Sequence, residues 1–184
     1  MAVKTFTTGE VLTAADTNTY LNNGGLVYIK SQTIGSGVSS VAVSSAFSSD
    51  YDIYFVTVSG GAASTATDLK LQLGSTTSGY YGSRIGNTYA SDTVIVTRDN
   101  NAAAFTNIGS ASTSDINVTI TISGPNMAKP THITGFQSLA STVGGSFTYN
   151  GYEASSTQHT AFTIITNTGT LTGGNIRVYG YRQA

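Results

Sequence analysis

A chain of 184 residues is long enough for one domain with a real core, and only 9% of its residues are charged, against roughly 25% in an ordinary soluble protein. The net charge is −1 and the eight Lys and Arg are scattered, which argues against nucleic acid as a partner; the absence of Cys excludes a disulfide framework and thiolate metal sites. Val, Ile, Thr, Tyr and Phe are abundant, and a disordered chain is poor in such residues. Polarity comes instead from Ser and Thr, about three residues in ten, a surface suited to a protein packed in an assembly or bathed in the external medium.

Residues 1–25 read as a short arm. From Thr7 to Gly25 the chain carries its only credible helix signals. Thr13 is placed to N-cap, Asp16 falls where a carboxylate complements exposed N–H groups, and Asn22, Asn23, Gly24 and Gly25 supply a stop. The two or three turns expected are too few to be stable alone, so Val11, Leu12, Tyr20 and Leu21 need another surface to lie on.

Residues 26–184 read as one all-β domain. Leu26–Ile34 is the first strand candidate, Val38–Val43 a weaker one. Tyr51–Ser59 is apolar on both faces, Ile53 and Phe55 on one and Tyr54, Val56 and Val58 on the other. It therefore belongs at the centre of a sandwich or in a subunit interface, and Ser59-Gly60-Gly61 is expected to end it. Thr67–Leu73 and Ser114–Ser123 alternate cleanly, the antiparallel pattern with one wet face. Asp92–Arg98 is a strand candidate between stretches expected to be loops, Gly79–Tyr89 and Asp99–Ala103, with Gly86-Asn87 as a turn signal. Gly124–Pro130 is a connection, followed by strand candidates at Thr131–Leu139, Ser146–Tyr152, Gln158–Thr166 and Asn175–Arg182. Such spacing without further helices predicts an antiparallel β-sandwich, jelly-roll-like, preceded by the arm with its one short helix. No apolar run is long enough to span a membrane, and no signal-peptide h-region follows Met1. A particle released by cell lysis fits a protein expected to be externally exposed without a secretory signal.

No constellation carries chemistry. Asp50 and Asp52 are turn-capping aspartates before they are a metal site, because further oxygen ligands are missing. His132 and His159 fall in strand candidates without metal-ligand spacing, Glu10 and Glu153 are the only glutamates, and no G-x-S-x-G elbow or phosphate-binding glycine pattern occurs. The expectation is a protein without enzymatic activity, cofactor or metal. Tyrosine is the suggestive excess: Tyr80, Tyr81, Tyr89, Tyr149 and Tyr152 fall in or beside Gly-rich turns and Tyr179 and Tyr181 alternate in the last strand, with Tyr80, Tyr81 and Tyr89 the candidates for surface recognition of a glycan or protein.

The N-terminal words KTFTTGEVLTAADTNTYLNN resemble the opening of many tailed-bacteriophage virion proteins, minor tail or tail-fibre-like, in which an F-x-x-G-x-x-L-T-A-x-x-x-N-x-x-L arm precedes a β-rich domain. The matching positions are Phe6, Gly9, Leu12, Thr13, Ala14, Asn18 and Leu21, and GGNIRVYGYR from Gly173 to Arg182 is similar to the closing strand of such proteins. The resemblance implies a homotrimer without enzymatic activity, partnered by other virion proteins. The arm would dock through Phe6, Val11, Leu12, Tyr20 and Leu21, and the β domain would meet the host surface from the tail. A capsid decoration protein is the alternative, and a free carbohydrate-binding module a further one.

Overall fold

A computed structural model describes residues 7–16, 25–138 and 144–182 of the chain. The strands are β1 (Leu26–Thr33), β2 (Ser40–Val43), β3 (Tyr51–Ala63), β4 (Thr67–Leu73), β5 (Tyr80–Thr88) and β6 (Ile95–Ala102). They continue with β7 (Phe105–Ala111), β8 (Asn117–Ser123), β9 (Thr131–Ser138), β10 (Gly145–Glu153), β11 (Phe162–Thr166) and β12 (Leu171–Arg182). They form two antiparallel sheets, one of eight strands in the order β1-β12-β3-β8-β9-β10-β5-β6 and one of four in the order β2-β11-β4-β7. The four-stranded order, and β3 followed across the larger sheet by β10-β5-β6, is the winding of a jelly roll. Here the β8–β9 hairpin is inserted between β3 and β10, and β1 and β12 extend the sheet beyond β3. The all-β sandwich expected from the sequence is the fold.

Alternation builds the core. Tyr54, Val56 and Val58 of β3, Val118, Ile120 and Ile122 of β8, and Ile176 and Val178 of β12 point inward from one sheet. Leu69, Leu71 and Leu73 of β4, with Phe162 and Ile164 of β11, meet them from the other. Phe47 lies 4.8 Å from Tyr54 edge-on and stacks at 5.5 Å on Phe162, joining the two layers with offset aromatic contacts.

Several expected boundaries are corrected. Gly79–Tyr89 is not a loop, since Tyr80–Thr88 is β5, and residues 99–102 belong to β6 rather than to a connection. The expected strand at Asp92 begins only at Ile95, and β7 has no counterpart among the expected strands. The reason at β5 is tertiary. A Cβ on Gly82 would stand 2.1 Å from the Tyr149 hydroxyl, so glycine here admits a side chain of β10 across the backbone and marks no turn. Likewise β3 does not end at Gly60-Gly61, because these glycines face Gly173 and Gly174 of β12 so closely that a Cβ on Gly61 would lie 2.2 Å from the Gly173 carbonyl oxygen. Both strands pass through the crossing, and β12 starts at Leu171 instead of Asn175.

In the arm, the described helix α1 is Ala14–Asp16. It is opened by a reciprocal cap in which the Thr13 amide and hydroxyl donate to the Asp16 carboxylate (3.1 and 2.6 Å) and the Asp16 amide donates to the Thr13 hydroxyl (3.1 Å). The continuation of the expected helix, with Tyr20 and Leu21, and the docking residue Phe6 lie outside the described residues.

Candidate interaction surface

Side chains of the larger sheet that do not face the core form rows across it, fixed by the strand register. One row runs Leu26, Tyr181, Ile53, Ser123, His132, Tyr152, Tyr81; the next runs Tyr28, Tyr179, Phe55, Thr121, Thr134, Asn150, Ser83, Arg98. A third contains Arg177, Thr57, Thr119, Phe136, Thr148, Ile85 and Val96. These rows are not the polar outer face that an ordinary antiparallel sheet turns to water. Among the described residues, the exposed large apolar side chains other than Val11 and Leu12 all belong to this sheet or to the β5–β6 connection. The four-stranded sheet contributes none, and its outer face shows Lys70, Gln72, Thr106 and Thr163 instead.

The apolar residues fall into two patches. In the first, over β1, β12 and β3, Tyr28 meets Tyr179 edge-on at 5.7 Å and Phe55 lies 6.3 Å from the same ring, with Leu26, Ile53 and Tyr181 beside them. β3 is thus apolar on both faces, as its sequence suggests, but only the Tyr54 side is closed; Ile53 is 39% exposed. In the second, Tyr81 and Tyr152 stack at 5.3 Å with His132 6.0 Å from Tyr152, forming the wall of a hollow of about 440 Å³. Asn150, Ser83 and Thr134 line it, and Phe136, Ile85 and Val96 lie one row further on. Between the patches runs a strip of threonines, Thr57, Thr119, Thr121 and Thr134.

The tyrosines expected at the surface separate. Tyr81 is half-buried in the second patch, and Tyr89 is exposed, its hydroxyl 2.9 Å from that of Ser138. They stand at opposite ends of β5. Tyr80 is corrected to a core residue. It is fully buried, its hydroxyl accepts from the Leu73 amide (2.8 Å) and donates to the Thr76 carbonyl (3.2 Å), and burial pushes its pKa up to about 12. Alternation alone divides Tyr80 from Tyr81, a division visible only once β5 is known to be a strand. Tyr152, Tyr179 and Tyr181, part of the tyrosine excess in the sequence, complete the aromatic surface with Tyr28, which the sequence does not single out, while Tyr149 is a buried core residue.

The titratable groups inside the sandwich are paired. Glu153 is fully buried, accepting from the Ser155 amide (2.7 Å) and hydroxyl (2.9 Å), and lies 3.2 Å from His159 Nε2. His159 is therefore a buried loop residue before β11, not the strand residue expected, and tertiary structure brings it the carboxylate that its sequence neighbourhood lacks. Asp99 accepts from the Tyr149 hydroxyl (2.5 Å) and the Thr106 amide (3.0 Å); burial first, and then this carboxylate, raises the Tyr149 pKa. Arg84 reaches from β5 to Asp68 of β4 (2.8 Å) with its guanidinium 4.5 Å above the Phe147 ring, tying the sheets together. Asp50 accepts from the Ser48 hydroxyl (3.0 Å), a turn cap. Among the described residues no group of three or more His, Asp or Glu is placed to hold a metal ion, and no helix is long and apolar enough to cross a membrane.

The geometry defines an all-β protein whose conspicuous surface is an apolar sheet face. Compared with known proteins, the chain matches no protein-family model, and none of the curated proteins matches it in sequence.

Proposed function

We propose that this chain is a non-enzymatic structural protein of a bacteriophage particle, a homotrimeric tail appendage that docks by its N-terminal arm and holds its β domain toward the host surface. The observation that carries the reading is the distribution of exposed apolar side chains. Among the described residues they occupy one face of one sheet, the β5–β6 connection beside it, and the arm, where Val11 is 78% and Leu12 49% exposed. Apolar patches gathered on one face mark interaction sites, and subunits of assemblies carry them. The arm's similarity to virion-protein openings supports the kind of assembly. A capsid decoration protein, which needs the same arm and sandwich, is the second reading.

The test is incorporation. Particles purified from the phage carrying the gene are compared by mass spectrometry with particles from a derivative lacking residues 1–24. The full-length chain is expected in the particle and the truncated chain absent; absence of the full-length chain overturns the proposal.

A further inference from the structure

The two apolar patches differ in shape, and the difference indicates what covers them. The first lines none of the described hollows, and its side chains stand toward solvent: Tyr28 is 57% exposed, with Tyr181 at 42% and Leu26 at 41%. The second holds an open hollow of about 440 Å³ lined by Tyr81, Tyr152 and His132 and by the shorter side chains Asn150, Ser83 and Thr134. A tyrosine inserted there would find aromatic walls for its ring and hydrogen-bonding groups for its hydroxyl.

We propose that a second copy of this chain covers the face, the exposed β1/β12/β3 patch of one copy seating against the Tyr81–Tyr152–His132 hollow of its neighbour. The inference deepens the structural-subunit reading above and rests on it. Area supports it. Eight strands about 4.8 Å apart, over rows spanning about six residues at about 3.3 Å each, make a face of roughly 800 Å². Each patch is about half of it, so the two contacts that every copy makes together cover about what one partner contributes to a stable interface. Charge supports it as well, since the three rows hold only two charged side chains, Arg98 and Arg177, and interface cores are depleted of charge. The threonine strip separates the patches, so the strong contact is patch to patch and every copy offers one of each kind.

The experiment is sedimentation of the full-length protein and of two variants, with circular dichroism and thermal unfolding as the control for folding. The wild type is expected to sediment as a closed oligomer, a multiple of the 19.0 kDa chain. Tyr28→Lys/Tyr181→Lys and Tyr81→Lys/Tyr152→Lys should each raise the dissociation constant at least tenfold. An equimolar mixture of the two variants should recover a two-chain species, because it restores one intact pairing. If a lysine variant fails to fold, the corresponding Tyr→Thr replacements, in keeping with the neighbouring threonine strip, replace it.

A monomeric wild type overturns the proposal and assigns the face to another partner. If such a monomer is still found on the particle, the functional reading stands without this pairing. Dissociation by one variant while the other assembles normally also overturns it, because the first patch would then meet its own kind.

Discussion

Gly82→Ala tests whether the glycines of β5 are there to admit side chains from β10. In a strand with free space, replacing Gly by Ala is neutral or stabilises by about 0.5–1 kcal/mol, because glycine loses more conformational freedom on folding. Here the added Cβ would lie 2.1 Å from Tyr149 Oη and 2.6 Å from its Cζ, well inside van der Waals contact. Tyr149 has no easy retreat. It is 2% exposed, packs edge-on against Phe105 at 6.0 Å, and its hydroxyl donates to Asp99 at 2.5 Å. Displacing it costs about 1–3 kcal/mol of repacking, together with a hydrogen bond to a charged group worth about 1.5–3 kcal/mol. The variant should therefore lose about 3–5 kcal/mol, measured as the shift in urea midpoint followed by tyrosine fluorescence. In a Tyr149→Ala background the ring is gone and the Asn150 carbonyl oxygen at 3.1 Å is the tight neighbour that remains, so Gly82→Ala should then cost only about 1 kcal/mol. A neutral or stabilising Gly82→Ala, or an equal cost in both backgrounds, refutes the close-approach argument.

The buried tyrosines make stability fall in alkali. The folded-state pKa of Tyr80 is about 12 against an ordinary 10.0, and Tyr149 is raised too, so the native state keeps protons that the unfolded chain gives up. Their contribution is complete below about pH 10 and is lost as pH rises from there toward 12, at about 1.4 kcal/mol per pH unit for each group. Urea titrations from pH 9 to 11.5 should show the loss, and Tyr80→Phe should make the slope shallower. Glu153→Ala removes the acceptor from His159 and from Ser155 inside the fold and should destabilise by about 3 kcal/mol, read as a urea-midpoint shift with an unchanged slope. Deleting residues 1–24 should change the thermal midpoint of the sandwich by no more than a few degrees, since Val11 and Leu12 bury little against it; unfolding of the truncated chain would make the arm part of the core.

Strands were legible where alternation was strict. Leu69, Leu71 and Leu73 mark β4 to the residue, and Val118, Ile120 and Ile122 mark β8, because one face is core and the other water. β5 and β7 were not, because each holds glycine where another strand's side chain must pass. Gly82 makes way for Tyr149, and a Cβ on Gly109 would meet Val118 at 2.4 Å. A local pattern contains no record of such a crossing. The interaction face was legible in one strand, through Ile53 and Phe55 opposite Tyr54 and Val56. Its other members come from β1, β5, β6, β9, β10 and β12, and only the register sets them side by side. Glu153, at the end of β10, and His159, on the loop before β11, are six residues apart with no motif to join them, and only the path of that loop brings them together.

The central claim is that this chain is a component of a phage particle, and the most direct measurement is to see it there. A label fused after Ala184 and imaged on negatively stained virions should mark the tail end of each particle. Label spread over the head would exchange the tail appendage for a decoration protein, and virions without label would contradict the account.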